Sequence, residues 1–85
     1  MAASVVQIAD GVKIDMINPE AGIYAQKAEI GKADIDVAYN DEYKGSSTNP
    51  GKGIEISGTD GTLTMTNTSF DVTDNRTLKK AMGIV

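Results

Sequence analysis

Five short stretches of the chain alternate apolar and polar residues with a period of two. In VKIDMI, Val12, Ile14 and Met16 share one face and Lys13 and Asp15 the other. ADIDVAY sets Ile35, Val37 and Tyr39 against Asp34, Asp36 and Ala38, and IEIS sets Ile54 and Ile56 against Glu55 and Ser57. TLTMT and SFDVT repeat the pattern around Leu63, Met65, Phe70 and Val72. A strand turns successive side chains to opposite faces, so this spacing predicts strands with one face buried. The aliphatic inventory agrees, with nine Ile and six Val but only two Leu, beside eight Thr. β-branched side chains are stiff at χ1 and suit a pleated surface. Parallel strands are ordinarily buried on both faces, so one-sided burial points to antiparallel pairing. The expected fold is mainly β: a small antiparallel sheet, sandwich or β-barrel-like domain with a short C-terminal helix. Ile14, Ile35, Val37, Ile54, Ile56, Leu63, Met65, Phe70 and Val72 form its expected core.

The chain divides into residues 1–11, an N-terminal arm or edge strand, a β region over 12–73, and a helix or tail over 74–85. Its 85 residues predict a single domain. INPEAG, residues 17–22, reads as a turn around Pro19, and Asp60-Gly61 suits a tight hairpin between Ile56 and Leu63. Residues 23–32, IYAQKAEIGK, mix helix and strand formers and read as strand. In the tail, Asp74 suits an N-cap, Leu78 and Met82 lie four apart, and Gly83 suits a stop, which predicts about two turns of helix. The strands recur at irregular intervals, which weighs against a coil of repeated units.

The stretch GSSTNPGKG, residues 45–53, invites comparison with a phosphate-binding loop. Such a loop needs four residues between its glycines, a Ser or Thr after Lys, and a helix to follow. Here five residues separate Gly45 from Gly51, Gly53 follows Lys52, and a strand is expected next. The stretch therefore reads as part of a long polar loop, 41–53, able to order against a partner. Asp34, Asp36, Asp41 and Glu42 form an acidic cluster, but Ala38 stands where a calcium loop needs a ligand, so no metal is expected. The chain has no Cys and no His, which excludes disulfides and thiolate sites and removes the commonest general base. No activated nucleophile is evident, so neither catalysis nor a cofactor is expected.

Residues 1–75 hold all twelve acids against five Lys, a net of −7, while residues 76–85 hold Arg76, Lys79 and Lys80 and no acid, a net of +3. The total of −4 argues against nucleic acid or an anionic membrane as partner. No basic start or long apolar run suggests a secretory signal or a span, so synthesis in the cytoplasm is expected. The basic, apolar-ended tail is expected to dock on an acidic β surface, its own or a neighbour's. The candidate interface residues are Arg76, Leu78, Lys79, Lys80, Met82, Ile84 and Val85, with Tyr43 and Lys52 from the long loop. A domain this small, with one Phe and no Trp, gains from association with copies of itself. The sequence thus reads as a non-enzymatic structural or assembly protein. A small phage virion component (a capsid decoration, tail or fibre-associated subunit), forming homo-oligomers or joining other structural proteins, fits this composition. The alternative is a monomeric β-type module that binds a protein or peptide.

Overall fold

The computed structural model describes residues 1–77 and 80–85. The described residues form eight strands: β1 (Ala2–Ile8), β2 (Lys13–Ile17), β3 (Ala21–Ile30), β4 (Asp34–Tyr39), β5 (Lys52–Ile56), β6 (Thr62–Met65), β7 (Ser69–Asp74) and β8 (Met82–Ile84). They form two sheets. One has the order β1-β3-β5-β8, with β6 also on β3, and the other has the order β2-β4-β7. Every pairing is parallel. The chain therefore winds as a coil that visits each sheet once per turn. Layer one holds β1 and β2, layer two β3 and β4, layer three β5, β6 and β7, and layer four β8 alone. The short dimension of the molecule, 16 Å against 33 and 29 Å, matches the coil axis, since four layers span about 14 Å at the usual strand spacing.

The antiparallel expectation is thus corrected to parallel. In a coil each strand pairs with its equivalent one turn later, so neighbours run the same way. Parallel sheets are usually two-sided because crossover helices cover them. Among the described residues there is no helix, and the outer faces meet water while the inner faces meet each other. One-sided alternation is the consequence in either direction of pairing. Residues 23–32 lie on β3 as expected over Ile23–Ile30, and β1 is the strand expected within residues 1–11.

The C-terminal helix is the second correction. Met82 and Ile84 pair with Lys52 and Ile54 of β5, so the tail ends as strand β8. Asp74 does receive a backbone amide, that of Arg76 at 3.0 Å, as a cap would, but it also receives that of Ala81 at 2.6 Å. One carboxylate thereby ties both ends of the last corner together. A third correction concerns Asp60-Gly61. β5 and β6 do not pair with each other; each pairs with β3, whose alternation breaks at Gln26 and Lys27, both exposed. Residues 57–61 leave the sheet at that bend and return to it.

Burial follows the layers. Ile23, Ala25, Ala28, Ile30, Ala33, Ile35, Val37 and Tyr39 of layer two are 5% exposed or less. Of the expected core, Ile35, Val37 and Ile54 are buried, whereas Ile14, Ile56, Leu63, Met65, Phe70 and Val72 are half-buried on the first and third layers.

Candidate interaction surfaces

The second sheet returns to the first through three stacked corners, and an Asn opens each. Asn18 follows β2 with φ of 57°, Asn40 follows β4, and Asn75 follows β7. The Asn18 side chain accepts the Asn40 amide at 2.9 Å and donates to the Asn40 side-chain oxygen at 2.9 Å. Asn75 donates its amide to the Tyr39 carbonyl at 3.3 Å. The first corner needs only residues 18–20, but the second runs over 40–51 and folds back over the inside of the coil.

Tyr39 stands at the centre of that fold. Its hydroxyl lies 2.6 Å from the Pro19 carbonyl and 3.2 Å from that of Lys52, which joins the first two corners to the start of β5. Gly51, with φ of 103°, passes so close to the ring that a Cβ there would sit 2.5 Å from Tyr39 Cε1. The Arg76 guanidinium lies 4.8 Å from the centroid of the Tyr39 ring and 5.3 Å from that of Tyr43. It grips Asp74 in a two-pronged pair, Nε to Oδ1 at 2.9 Å and Nη2 to Oδ2 at 2.7 Å. Its remaining donors reach the Tyr43 carbonyl at 3.1 Å and the Pro50 carbonyl at 2.6 Å. Arg76 is only 4% exposed. Burying a charge is costly unless every donor is met, and here the fork meets a carboxylate and two carbonyls. The guanidinium bonds hold the Asp74 carboxyl well below the usual carboxylate range, ahead of a smaller opposing effect of desolvation. Burial, with Tyr43 beside it, pushes the Tyr39 phenol up to about 12.

These contacts fix where the candidate interface residues lie. Arg76 and Tyr43 belong to an internal clasp that holds loop 40–51 against the last corner. Lys80 bonds the backbone carbonyls of Asp74 and Arg76. Lys52 pairs with Glu55 at 3.4 Å. Leu78 and Lys79 lie outside the described residues. Met82, Ile84 and Val85 line the outermost strand and are 45%, 50% and 48% exposed. Of the seven that are described, these three are the apolar residues the structure leaves open to a neighbour.

Stretch 45–53 is held partly by its own bonds and partly by Tyr39, Tyr43 and Arg76, and the Asn49 side-chain oxygen is buried without a hydrogen bond among the described residues. Ser46 N bonds the Asn49 carbonyl at 3.1 Å, Asn49 N bonds Ser46 Oγ at 3.0 Å, and β5 follows. On the outer face of the second sheet, Asp15, Asp36 and Asp71 stand in register across three strands. Lys13 reaches Asp34 at 3.4 Å, Asp36 at 3.7 Å and Asp15 at 3.8 Å, and the Asp34 bond above all raises its pKa. No group of acids that could hold a metal ion occurs among the described residues.

The ends of the coil are the other open surfaces. Among the described residues, the outer edges of β1 and β2 have no strand beyond them, nor do those of β6, β7 and β8. Met1, Val5 and Ile17 are more than half exposed at the first end, as Met82, Ile84 and Val85 are about half exposed at the other. Sequence reasoning marked the second of these ends and missed the first. It also missed the clasp, and the signal available for it was the recurrence of Asn after IDMI, DVAY and DVTD. Comparison of the chain with protein-family models, with curated proteins and with solved structures returns no match.

Proposed function

We propose that this chain is a non-enzymatic structural protein that works by repeated contacts between identical copies, as a small phage virion component such as a capsid decoration, tail or fibre-associated subunit would. The observation that carries the reading is the pair of open coil ends. Unpaired strand edges present rows of free N–H and C=O groups and template further pairing. Here they coincide with half-buried inward apolar residues, Ile14 and Met16 at the first end and Leu63, Met65, Phe70 and Val72 at the second, where Met82, Ile84 and Val85 are also about half exposed. The clasp around Arg76 supports a structural role too, since its charges are spent on holding two corners together. The deciding measurement is mass in solution by light scattering across a concentration series, with micrographs of the same samples. Concentration-dependent particles of many copies are expected. A chain that stays monomeric up to millimolar concentration would overturn the reading in favour of a monomeric binding module.

A further inference from the structure

We infer that the occupant of each open end is a second copy of this chain, stacked head to tail so that both sheets continue in parallel register. This rests on the self-assembling role proposed above and adds its geometry.

The first support is a pair of complementary half-layers. β3 is ten residues long. On one side of it, β1 pairs from Tyr24 to Ile30, and Ala21–Ile23 meet no strand but only the Met1 amine, which bonds the Gly22 carbonyl at 3.1 Å. At the other end of the coil, β8 covers Lys52 and Ile54, which stand in the columns of Ala21 and Ile23. β6, in the columns of Lys27 to Ile30, has nothing beyond it. Layer four therefore contains the half that layer one lacks. With β2 of the next copy laid on β7, its β1 falls on β6 beside β8, and the two strands complete one layer. Only Met1 and Ala2 of the incoming copy share columns with Ile84 and Val85 and must turn aside.

The interior columns continue across the joint. Within one copy they run Val6–Ala28–Leu63, Ile8–Ile30–Met65, Ile14–Ile35–Phe70 and Met16–Val37–Val72. Stacking seats Val6, Ile8, Ile14 and Met16 of the next copy on Leu63, Met65, Phe70 and Val72, which are half-buried in the single chain. On the outer face, Lys13 of the next copy comes diagonal to Asp71, as Lys13 is to Asp36 within the chain at 3.7 Å. Asp71 has no ion pair among the described residues. An end face with the 33 by 29 Å outline of the molecule is on the order of the ~800 Å² per partner of a standard interface.

The second, independent support is a glycine. Gly22, Gly53 and Gly83 share one column. A Cβ on Gly22 would sit 2.6 Å from the Gly53 carbonyl oxygen, and one on Gly53 2.8 Å from that of Gly83. The carbonyl of the layer after excludes a Cβ at both, beside Met16 Cε at 2.8 Å for Gly22 and Phe70 Cζ of the same layer at 2.4 Å for Gly53. A Cβ on Gly83 meets nothing within 4 Å among the described residues and its φ is ordinary, so none of the described residues of the single chain requires glycine there. In the stack, the carbonyl of Gly22 from the next copy occupies the same place over Gly83.

The test uses the whole chain, which has no cysteine. Gln7 and Thr64 share an outward column two layers apart, about 9.6 Å, too far for a disulfide within one copy. In the stack they are adjacent between copies, at ~4.8 Å. Gln7→Cys/Thr64→Cys should oxidise to a ladder of covalent oligomers, and the two single variants mixed should link to one another. Fibres should show an axial rise of ~14 Å per subunit, three layers. Gly83→Ala should leave the β spectrum unchanged and raise the concentration needed for assembly about tenfold or more. Particles that form but link Gln7→Cys to itself, or ignore Gly83→Ala, overturn head-to-tail stacking while leaving self-assembly standing. The absence of any particle overturns both.

Discussion

Replacing Arg76 by Met removes one charge from a buried pair and leaves the other. Asp74 and Arg76 side chains are only 8% and 5% exposed. The guanidinium supplies bonds to both Asp74 oxygens and to the Tyr43 and Pro50 carbonyls. Breaking such a pair from one side typically costs about 3–5 kcal/mol, because the orphaned charge stays desolvated. The native stability of an 85-residue chain is on the order of 4–13 kcal/mol, so the variant should lose a large share of it at neutral pH. Urea denaturation at low micromolar concentration, where association is weak, measures the cost. Its pH dependence identifies the cause. In the parent, the Asp74 pKa is depressed on folding, so its contribution is complete above the ordinary Asp value near ~3.9 and is lost as pH falls below it toward the native pKa. In Arg76→Met the buried carboxyl has lost its partner and takes up a proton more readily, so the gap between variant and parent should narrow as pH falls. A cost below about 1 kcal/mol at pH 7, or a gap that does not change with pH, would refute the reasoning.

Tyr39→Phe removes the hydroxyl shared by the Pro19 and Lys52 carbonyls and should cost about 1–3 kcal/mol in the same denaturation assay. In the parent, ultraviolet titration should show the Tyr39 phenol ionising near 12, and Tyr39→Phe should abolish that component. Gly53→Ala drives a Cβ to 2.4 Å from Phe70 Cζ and should destabilise by about 1–3 kcal/mol, while the same change at Gly83 leaves the melting point of the single chain where it was. Ile35→Ala, at a fully buried position of layer two, should cost about 2–5 kcal/mol, and Ile14→Ala in the same column on layer one clearly less. Equal losses at the two positions would show that the first layer is covered in solution.

The period of two was legible because it depends only on which face of a strand is buried. VKIDMI and ADIDVAY each place one face inside the coil, as read. The direction of pairing was not legible, because alternation is silent about whether the neighbour runs up or down. What normally links one-sided burial to antiparallel sheets is the helix cover of parallel ones, and this fold has none among its described residues. The coil itself leaves a trace. Ala3-Ser4-Val5-Val6-Gln7-Ile8 aligns with Ala25-Gln26-Lys27-Ala28-Glu29-Ile30 at a spacing of 22, and Lys13–Ile17 with Asp34–Ala38 at a spacing of 21. The next spacings are 31 on β5 and 35 on β6 and β7, because loop 40–51 and excursion 57–61 intervene. Those insertions hid the repeat. Arg76 was misplaced for a different reason. A lone cation in a basic tail belongs at the surface by default, and only the closure of loop 40–51 over Asp74 creates a buried site for it.

The disagreement that remains points in one direction. Ile14, Leu63, Met65, Phe70 and Val72 carry the alternation of core residues yet are half-buried, and all of them lie on the first or third layer. Ile35 and Val37, on the same columns one layer away, are buried completely. An alternating strand in a finished domain buries its whole apolar face. Here the pattern is complete in every layer, but the burial is complete only in the second. The cover inferred for each end is one more layer of the same columns, and another copy of the chain would present that layer with its apolar residues already in place. Gly83 fits the proposed stack at a single atom: it lacks a Cβ where none of the described residues of the lone chain would meet one, and where the stack would place the Gly22 carbonyl of the next copy.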